Sequence, residues 1–363
     1  MIKSDELYMR RAIELAQMAE GFTTPNPLVG AVIVHHHRII GEGYHHCAGM
    51  PHAEVEAVRS VKPQDVALLP EATLYVSLEP CSHYGKTPPC ADMLVQKGFR
   101  RVVIAMEDPF PQVAGRGIRK LKEAGIEVTI GILEAEARSL NRVFLTNVEK
   151  QRPFVTLKWA ESADGYIDAL RNTPTDKPIR FSDPLRERHV HRLRHLHDAI
   201  LIGRQTLLAD NPLLTNRLWW GKSPVRIVLD SQLSTLGEPC RLWKDISVPV
   251  RIVCDADAPE PTNLPPHVSL IRKPNSVETG PDEATLPEPK ASRTEGVSER
   301  RKQLAAQIPY LLRLLYAEGI RSLLVEGGAT TLQSFVDSGF YDTIDREVSP
   351  ILLHSGIPAP RLS

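Results

Sequence analysis

His52-Ala53-Glu54-Val55-Glu56-Ala57-Val58 opens a helix, and the same chemistry returns at Pro80-Cys81 and, after eight intervening residues, at Cys90. One imidazole and two thiolates make a zinc set, and three protein ligands leave a fourth position for water, as catalytic zinc requires. Both ligand-bearing segments sit at strand-to-helix junctions, where a helix N-terminus favours the thiolate form. Glu54 lies two residues beyond His52, so it is free to face the water and carry its proton to a leaving amine. The competing reading takes Cys81 and Cys90 as ordinary thiols near an incidental His-Ala-Glu. The order of the three pieces, with one strand between them, favours the zinc site.

Outward from this motif the chain alternates. A helix over about 5–20 precedes strand-like Leu28–Val34 and a short strand ending at Tyr44. A strand at Thr73–Ser77, a helix from Cys90 to Lys97 and a strand at Arg101–Met106 follow. A helix near 116–124, a strand at Ile126–Ile130 and a helix near 134–149 complete the half. Strands separated by helical segments predict α/β layers. Pro153 stops the last helix, so the boundary falls at Glu149–Arg152. Beyond it, strands are expected at Phe154–Trp159, Ala199–Gly203, Val225–Leu229, Val250–Cys254, Arg321–Val325 and Thr343–Val348. Helices are expected from Pro184 to about His197, near 300–317 and from Ala329.

Composition limits the function. Lys plus Arg and Asp plus Glu number 44 each, so the chain has no basic excess for a nucleic-acid backbone. No apolar run approaches the roughly 18 residues of a membrane span. The first twenty residues form an amphipathic helix rather than a signal peptide. Five cysteines argue against a secreted disulfide framework, so the compartment reads as cytoplasmic. Of 30 prolines, eight fall within 259–289, which predicts a poorly ordered insertion near 259–299.

His-x-Glu…Pro-Cys…Cys is the signature of zinc nucleobase deaminases. The usual pattern has two to four residues between the cysteines, whereas this chain carries eight. Together with Pro25-Asn26-Pro27-Leu28-Val29-Gly30 and Gly43-Tyr44-His45, that long loop resembles the bifunctional riboflavin-biosynthesis deaminase/reductase family. The resemblance implies a cytidine-deaminase-like three-layer α/β/α domain over 1–149. It also implies a dihydrofolate-reductase-like α/β domain over 152–363. It makes His52, Cys81 and Cys90 zinc ligands, Glu54 the proton shuttle and Asn26 a pyrimidine contact. Lys86 meets the substrate phosphate or is a solvated loop charge.

In the second half, Val325-Glu326-Gly327-Gly328-Ala329-Thr330-Thr331-Leu332 is a strand running through two glycines into a helix start, which lets backbone N–H groups approach a phosphate. By itself this is equally a plain strand–turn–helix. No Gly-x-Gly-x-x-Gly follows an early strand, so a Rossmann domain is not expected. Lys158-Trp159-Ala160-Glu161 and Ile202-Gly203 through Arg217 resemble the reductase domain of the same family, which uses NADPH. The resemblance implies cofactor contacts at Glu161, Thr206, Asp210, Ser231, Gly328, Ala329, Thr330, Thr331 and Leu332, and substrate contacts at Arg194, Leu214, Arg217 and Glu326. Asp210 would also assist ring opening of the sugar. Arg180 stands where many members have Trp, and is expected to neutralise the extra phosphate of NADPH.

The function these features predict has two steps. The first is zinc-dependent deamination of a phosphorylated diaminopyrimidine, and the second is NADPH-dependent reduction of its ribosyl group. A homodimer through the reductase domain is implied, with no nucleic-acid or membrane partner. Rival readings are a zinc deaminase for another base and a metal-stabilised binding module. His35, His36 and His37 are expected in a solvated turn. His189, His191, His195 and His197 are expected on a solvated or phosphate-facing helix.

Overall fold

The structure, a computed structural model, describes residues 2–84, 88–110, 114–171, 173, 176–274 and 299–362. The chain divides into two compact units, Met1–Gln151 and Arg152–Ser363.

In the first unit the order is α1 (Ile2–Gln17), β1 (Gly30–His35), β2 (Arg38–Tyr44), α2 (Ala53–Ser60), a 3-10 helix (Pro63–Glu71), β3 (Thr73–Val76), α3 (Cys90–Lys97), β4 (Arg101–Ile104), α4 (Arg116–Glu123), β5 (Glu127–Ile130), α5 (Glu134–Leu140) and α6 (Arg142–Lys150). The sheet order is β2-β1-β3-β4-β5, with β1 antiparallel to β2 and β3 and the rest parallel. Strand side chains alternate between two cores, as the period of two requires. Ala31, Ile33, Leu74 and Val102 pack under α2, α3 and α4, while Val32, Tyr75 and Val103 pack under α1, α5 and α6. This is a three-layer α/β/α sandwich. The helix expected over 134–149 is interrupted at Asn141. That buried side chain is committed to Leu28, accepting from its N–H (2.8 Å) and donating to its carbonyl (3.0 Å).

Gly43 determines where α2 lies. A Cβ there would sit 2.3 Å from the Ala57 nitrogen, so the helix backbone rests directly on the strand and its N-terminal residues are fixed against the sheet.

The second unit runs β6 (Phe154–Glu161), β7 (Tyr166–Asp168), α7 (Pro184–Leu196), β8 (Ala199–Gly203), α8 (Arg204–Asp210), β9 (Val225–Leu229), α9 (Arg241–Lys244), β10 (Val250–Asp255), β11 (Val268–Lys273), α10 (Glu299–Ala317), β12 (Ser322–Val325), α11 (Ala329–Ser338), β13 (Thr343–Val348) and β14 (Ile357–Pro358). Seven strands form a parallel sheet in the order β11-β10-β9-β8-β12-β6-β13, covered on both faces. The chain steps from β6 past one slot to β8 and outward to β11, then returns to fill the slot with β12. Ligands bind outside the carboxyl ends of strands at such a reversal.

Two expectations need correction. The segment 259–299 is not wholly irregular, because Val268–Lys273 forms edge strand β11 in parallel register with β10. Val268 and Ile271 are buried there, which gives that stretch apolar surface to fold on. Residues 275–298 lie outside the described residues. The helix carrying the four histidines is also not solvated on its inner face, since His191, His195 and His197 are buried. Backbone partners make that burial tolerable. His191 Nδ1 accepts from the Arg217 N–H (2.8 Å), His195 Nδ1 accepts from the Lys222 N–H (3.2 Å), and His197 Nδ1–H donates to the Leu193 carbonyl (2.7 Å).

Candidate functional site

His52 is the residue that caps α2, and Cys90 is the first residue of α3, so both ligand candidates stand at helix N-termini. His52 Nδ1 lies 3.5 Å from Cys81 Sγ and 3.3 Å from Cys90 Sγ, and the three donor atoms fall within 4.8 Å of one another. A tetrahedral ion with bonds of about 2.3 Å to sulfur and about 2.0 Å to nitrogen needs N···S edges of about 3.5 Å. The triangle fits zinc. The Cys90 N–H donates to Cys81 Sγ at 3.3 Å. The Cys90 thiol also donates to Cys81 and, with His52 beside it, brings the Cys81 thiol down to about 4, whereas Cys90 is pushed up by that shared proton and by burial. One proton shared by two sulfurs is what a metal displaces on binding.

Glu54 is 3% exposed, the second residue of α2, beside the triangle. Burial, with the negative Cys81 adding to it, pushes its carboxyl up to about 7. A carboxyl in that range can take and return a proton near neutrality.

Asn26 reaches this cluster through His45. Asn26 Nδ2 donates to His45 Nε2 (3.0 Å), His45 Nδ1–H donates to the Pro51 carbonyl (3.0 Å), and the His45 ring centroid lies 5.8 Å from that of His52. The partners fix the tautomer, and burial holds His45 below its ordinary value. Lys86 lies outside the described residues.

Two supporting residues were missed by the sequence reading. His45 stood in a quoted motif without a role. Glu79, the residue before Pro80-Cys81, is buried and accepts backbone N–H groups from Asp108 (3.3 Å), Gly115 (3.0 Å), Gly117 (2.9 Å) and Ile118 (3.2 Å). It ties the ligand loop to the start of α4, where a carboxylate is favoured. The acidic residue next to the motif was its only signal.

In the second unit a cleft of about 1530 Å³ opens at the carboxyl ends of β6, β8, β9, β10 and β12. Arg180, Arg194, Thr206, Asp210, Arg217, Ser231, Glu326, Gly328, Ala329, Thr330, Thr331 and Leu332 all line it. Gly328 has φ 68°, and a Cβ there would sit 2.7 Å from Thr206 Oγ1. Beyond it α11 begins with no side-chain cap, so its first N–H groups face the cleft without intrahelical partners. A bare helix start lined by small residues fits the pyrophosphate of a dinucleotide.

Two expected contacts are not cleft residues. Glu161 is buried, accepts from Trp159 Nε1 (2.6 Å) and pairs with Arg346, so its carboxylate is already used inside the fold. Leu214 is 3% exposed and packs in the core beneath the sheet, with its backbone in the left-handed region. Arg194 does not present an open fork either. It is bound to Glu326, and its Nη1 donates to the Thr215 carbonyl at 3.1 Å. Arg217 donates to the Thr215 hydroxyl (2.9 Å), and burial together with the charges of Arg194 and Arg241 lowers its hold on its proton. Arg171 was missed: it donates to Asp210 Oδ1 (2.5 Å), Asp168 Oδ2 (2.8 Å) and the Ala209 carbonyl (2.7 Å).

Known proteins carry the same pair of units. A model of the cytidine and deoxycytidylate deaminase zinc-binding region matches residues 2–106, and one of the RibD C-terminal domain matches 153–358. The riboflavin biosynthesis protein RibD of Aquifex aeolicus is 36% identical over 358 residues, covering 97% of this chain and 89% of that protein. The Escherichia coli RibD is 38% identical over 354 residues, with 97% and 89% covered. A Thermotoga maritima crystal structure, of a diaminohydroxyphosphoribosylaminopyrimidine deaminase/5-amino-6-(5-phosphoribosylamino)uracil reductase, superposes with a TM-score of 0.80 at 36% identity, covering 98% of this chain and 90% of that one. Acinetobacter baumannii RibD gives 0.79 at 33% identity, covering 99% and 90%. A zinc triangle with a buried carboxylate in one unit and a dinucleotide cleft in the other are thus matched over nearly the whole length, and the chain belongs to the RibD family of bifunctional deaminase/reductases of riboflavin biosynthesis.

Proposed function

We propose that the first unit deaminates 2,5-diamino-6-(5-phosphoribosylamino)pyrimidin-4(3H)-one and that the second reduces the ribosyl group of the product, giving 5-amino-6-(5-phosphoribitylamino)uracil. The observation that carries the reading is the His52–Cys81–Cys90 triangle with Glu54 buried beside it. Zinc held by these three residues supplies Lewis-acid activation of a water, and NADPH in the second cleft supplies a hydride. Glu54 takes a proton from the attacking water and gives it to the departing amine. Asn26, oriented by His45, binds an edge of the pyrimidine.

In the second unit, Gly328 through Leu332 receive the cofactor pyrophosphate, with Thr206 and Ser231 beside them. Arg180 faces the extra phosphate of NADPH, and Arg217 the phosphate of the substrate. Asp210, oriented by Arg171, holds the sugar for ring opening. A homodimer through the second unit follows from the family resemblance, and β13 is an edge strand with Val348, Ile351 and Leu352 exposed in and beyond it. A cytoplasmic location accords with the few cysteines, and no helix among the described residues is long and apolar enough to cross a membrane.

A coupled assay with the diaminopyrimidine phosphate and NADPH tests both steps through loss of nicotinamide absorbance. Glu54→Gln is expected to slow ammonia release by about 10²–10⁴-fold with zinc content unchanged. Reduction of the already deaminated intermediate should persist in that variant. Full ammonia release by Glu54→Gln with zinc bound overturns the assignment.

A further inference from the structure

The tip of the β1–β2 hairpin carries His35, His36 and His37 in succession. Strand pairing places His35 opposite Arg38, and the two residues between them, His36 and His37, have φ of 43° and 63°. That is the turn geometry Asn and Gly adopt readily, so two histidines hold it against backbone preference. The Tyr8 hydroxyl donates to the His37 carbonyl at 3.0 Å and secures the turn.

His35 is not the solvated side chain the sequence led us to expect. It is 13% exposed and points inward because β1 is covered on both faces. Its Nε2 is shielded from solvent with no hydrogen-bond partner and lies 3.6 Å from Glu71 Oε2, at the end of the 3-10 helix. The His35 and His36 rings are 4.2 Å apart between centroids. One donor atom from each of His35, His36 and Glu71 falls within 4.8 Å of the other two. Arg38 next to them does not oppose a cation, since its guanidinium is spent on Asp65 at 2.7 and 3.0 Å.

We propose that His35, His36 and Glu71 form a second metal site, for a borderline divalent ion of the zinc, nickel or copper(II) class. Two imidazoles and one carboxylate are the donor set such ions prefer, whereas magnesium and calcium favour all-oxygen sites. The shielded, unbonded Nε2 is the part of the cluster that a metal would satisfy. The site is separate from the His52–Cys81–Cys90 triangle. Gly30 pairs with Tyr44, after which the chain leads to His52, whereas Val34 pairs with Thr73 at the opposite end of the strands. Four to five residues of strand, about 15 Å, lie between the two ends. An ion there would tie the hairpin tip to the end of the 63–71 helix.

The test is a calorimetric titration of the full chain with Zn²⁺, after loading with zinc and desalting to leave only the tightly held equivalent. The wild type is expected to bind one further equivalent. His36→Asn keeps the turn, because Asn suits its backbone, and Glu71→Gln keeps the shape of an exposed side chain. Each should weaken the added equivalent by about tenfold or more, while the retained equivalent and the rate of ammonia release stay at wild-type values. The proposal is overturned if the wild type takes up no further equivalent, or if either variant binds it with wild-type affinity.

Discussion

Arg194 on α7 and Glu326 at the end of β12 meet in a two-bond fork, Nε to Oε1 at 3.0 Å and Nη2 to Oε2 at 2.8 Å, although 132 residues separate them. Both side chains are largely buried, so each neutralises a charge the other could not carry alone. Burial pushes the Glu326 carboxyl up, and Arg194 more than reverses this, leaving it below its ordinary value. A carboxylate depressed in the fold stabilises above its unfolded pKa of about 4.3, and that stability is lost as pH falls through the lower folded value. Glu326→Gln is expected to destabilise the second unit by about 3–5 kcal/mol at pH 7. The deficit should shrink toward pH 3 in denaturant unfolding, and a deficit independent of pH would refute the linkage.

His191 gives a second pH dependence with a different window. Burial, helped by the charges of Arg194 and Arg217, lowers it to about 4, so it is neutral in the fold. Between its ordinary value of about 6.5 and 4 the unfolded chain binds the proton first, so stability falls with pH in that interval. His191→Gln should flatten the slope of stability against pH between 6.5 and 4. It should also raise the KM for the phosphorylated substrate, because the His191 ring holds the backbone of Arg217.

Gly328 is constrained twice, by its φ of 68° and by Thr206 Oγ1 at 2.7 Å from where a Cβ would stand. Gly328→Ala should raise the KM for NADPH on the order of tenfold or more, since backbone shifts at a phosphate loop remove several N–H contacts. Adding Thr206→Gly relieves the contact but not the backbone conformation, so only partial recovery is expected in steady-state kinetics.

Arg180 lines the cleft and is exposed. Arg180→Ala is expected to collapse the preference for NADPH over NADH while leaving kcat with saturating NADPH nearly unchanged. An unaltered ratio of kcat/KM for the two cofactors would remove Arg180 from the phosphate site.

Cys90→Ser tests the separation of the two chemistries. Zinc measured by atomic absorption should be lost together with ammonia release, because a hydroxyl is a poor ligand where a thiolate is needed. Reduction of the deaminated intermediate should continue.

The sequence by itself determined the α/β layers, the donor set of His52, Cys81 and Cys90, and the glycine-to-helix turn at Gly328. Each is a local pattern, a period of two or 3.6 or a fixed order of donors, whose physical meaning does not depend on distant residues. Tertiary structure alone decided which charges are available. Arg194 is occupied by Glu326, Glu161 is consumed by Trp159 and Arg346, and Asp210 is held by Arg171. It also turned His191 and His195 inward to bind the loop that carries Arg217, and turned His35 toward Glu71. Apart from Trp159, two positions from Glu161, these partners lie tens to more than a hundred positions apart, and no window along the chain contains them.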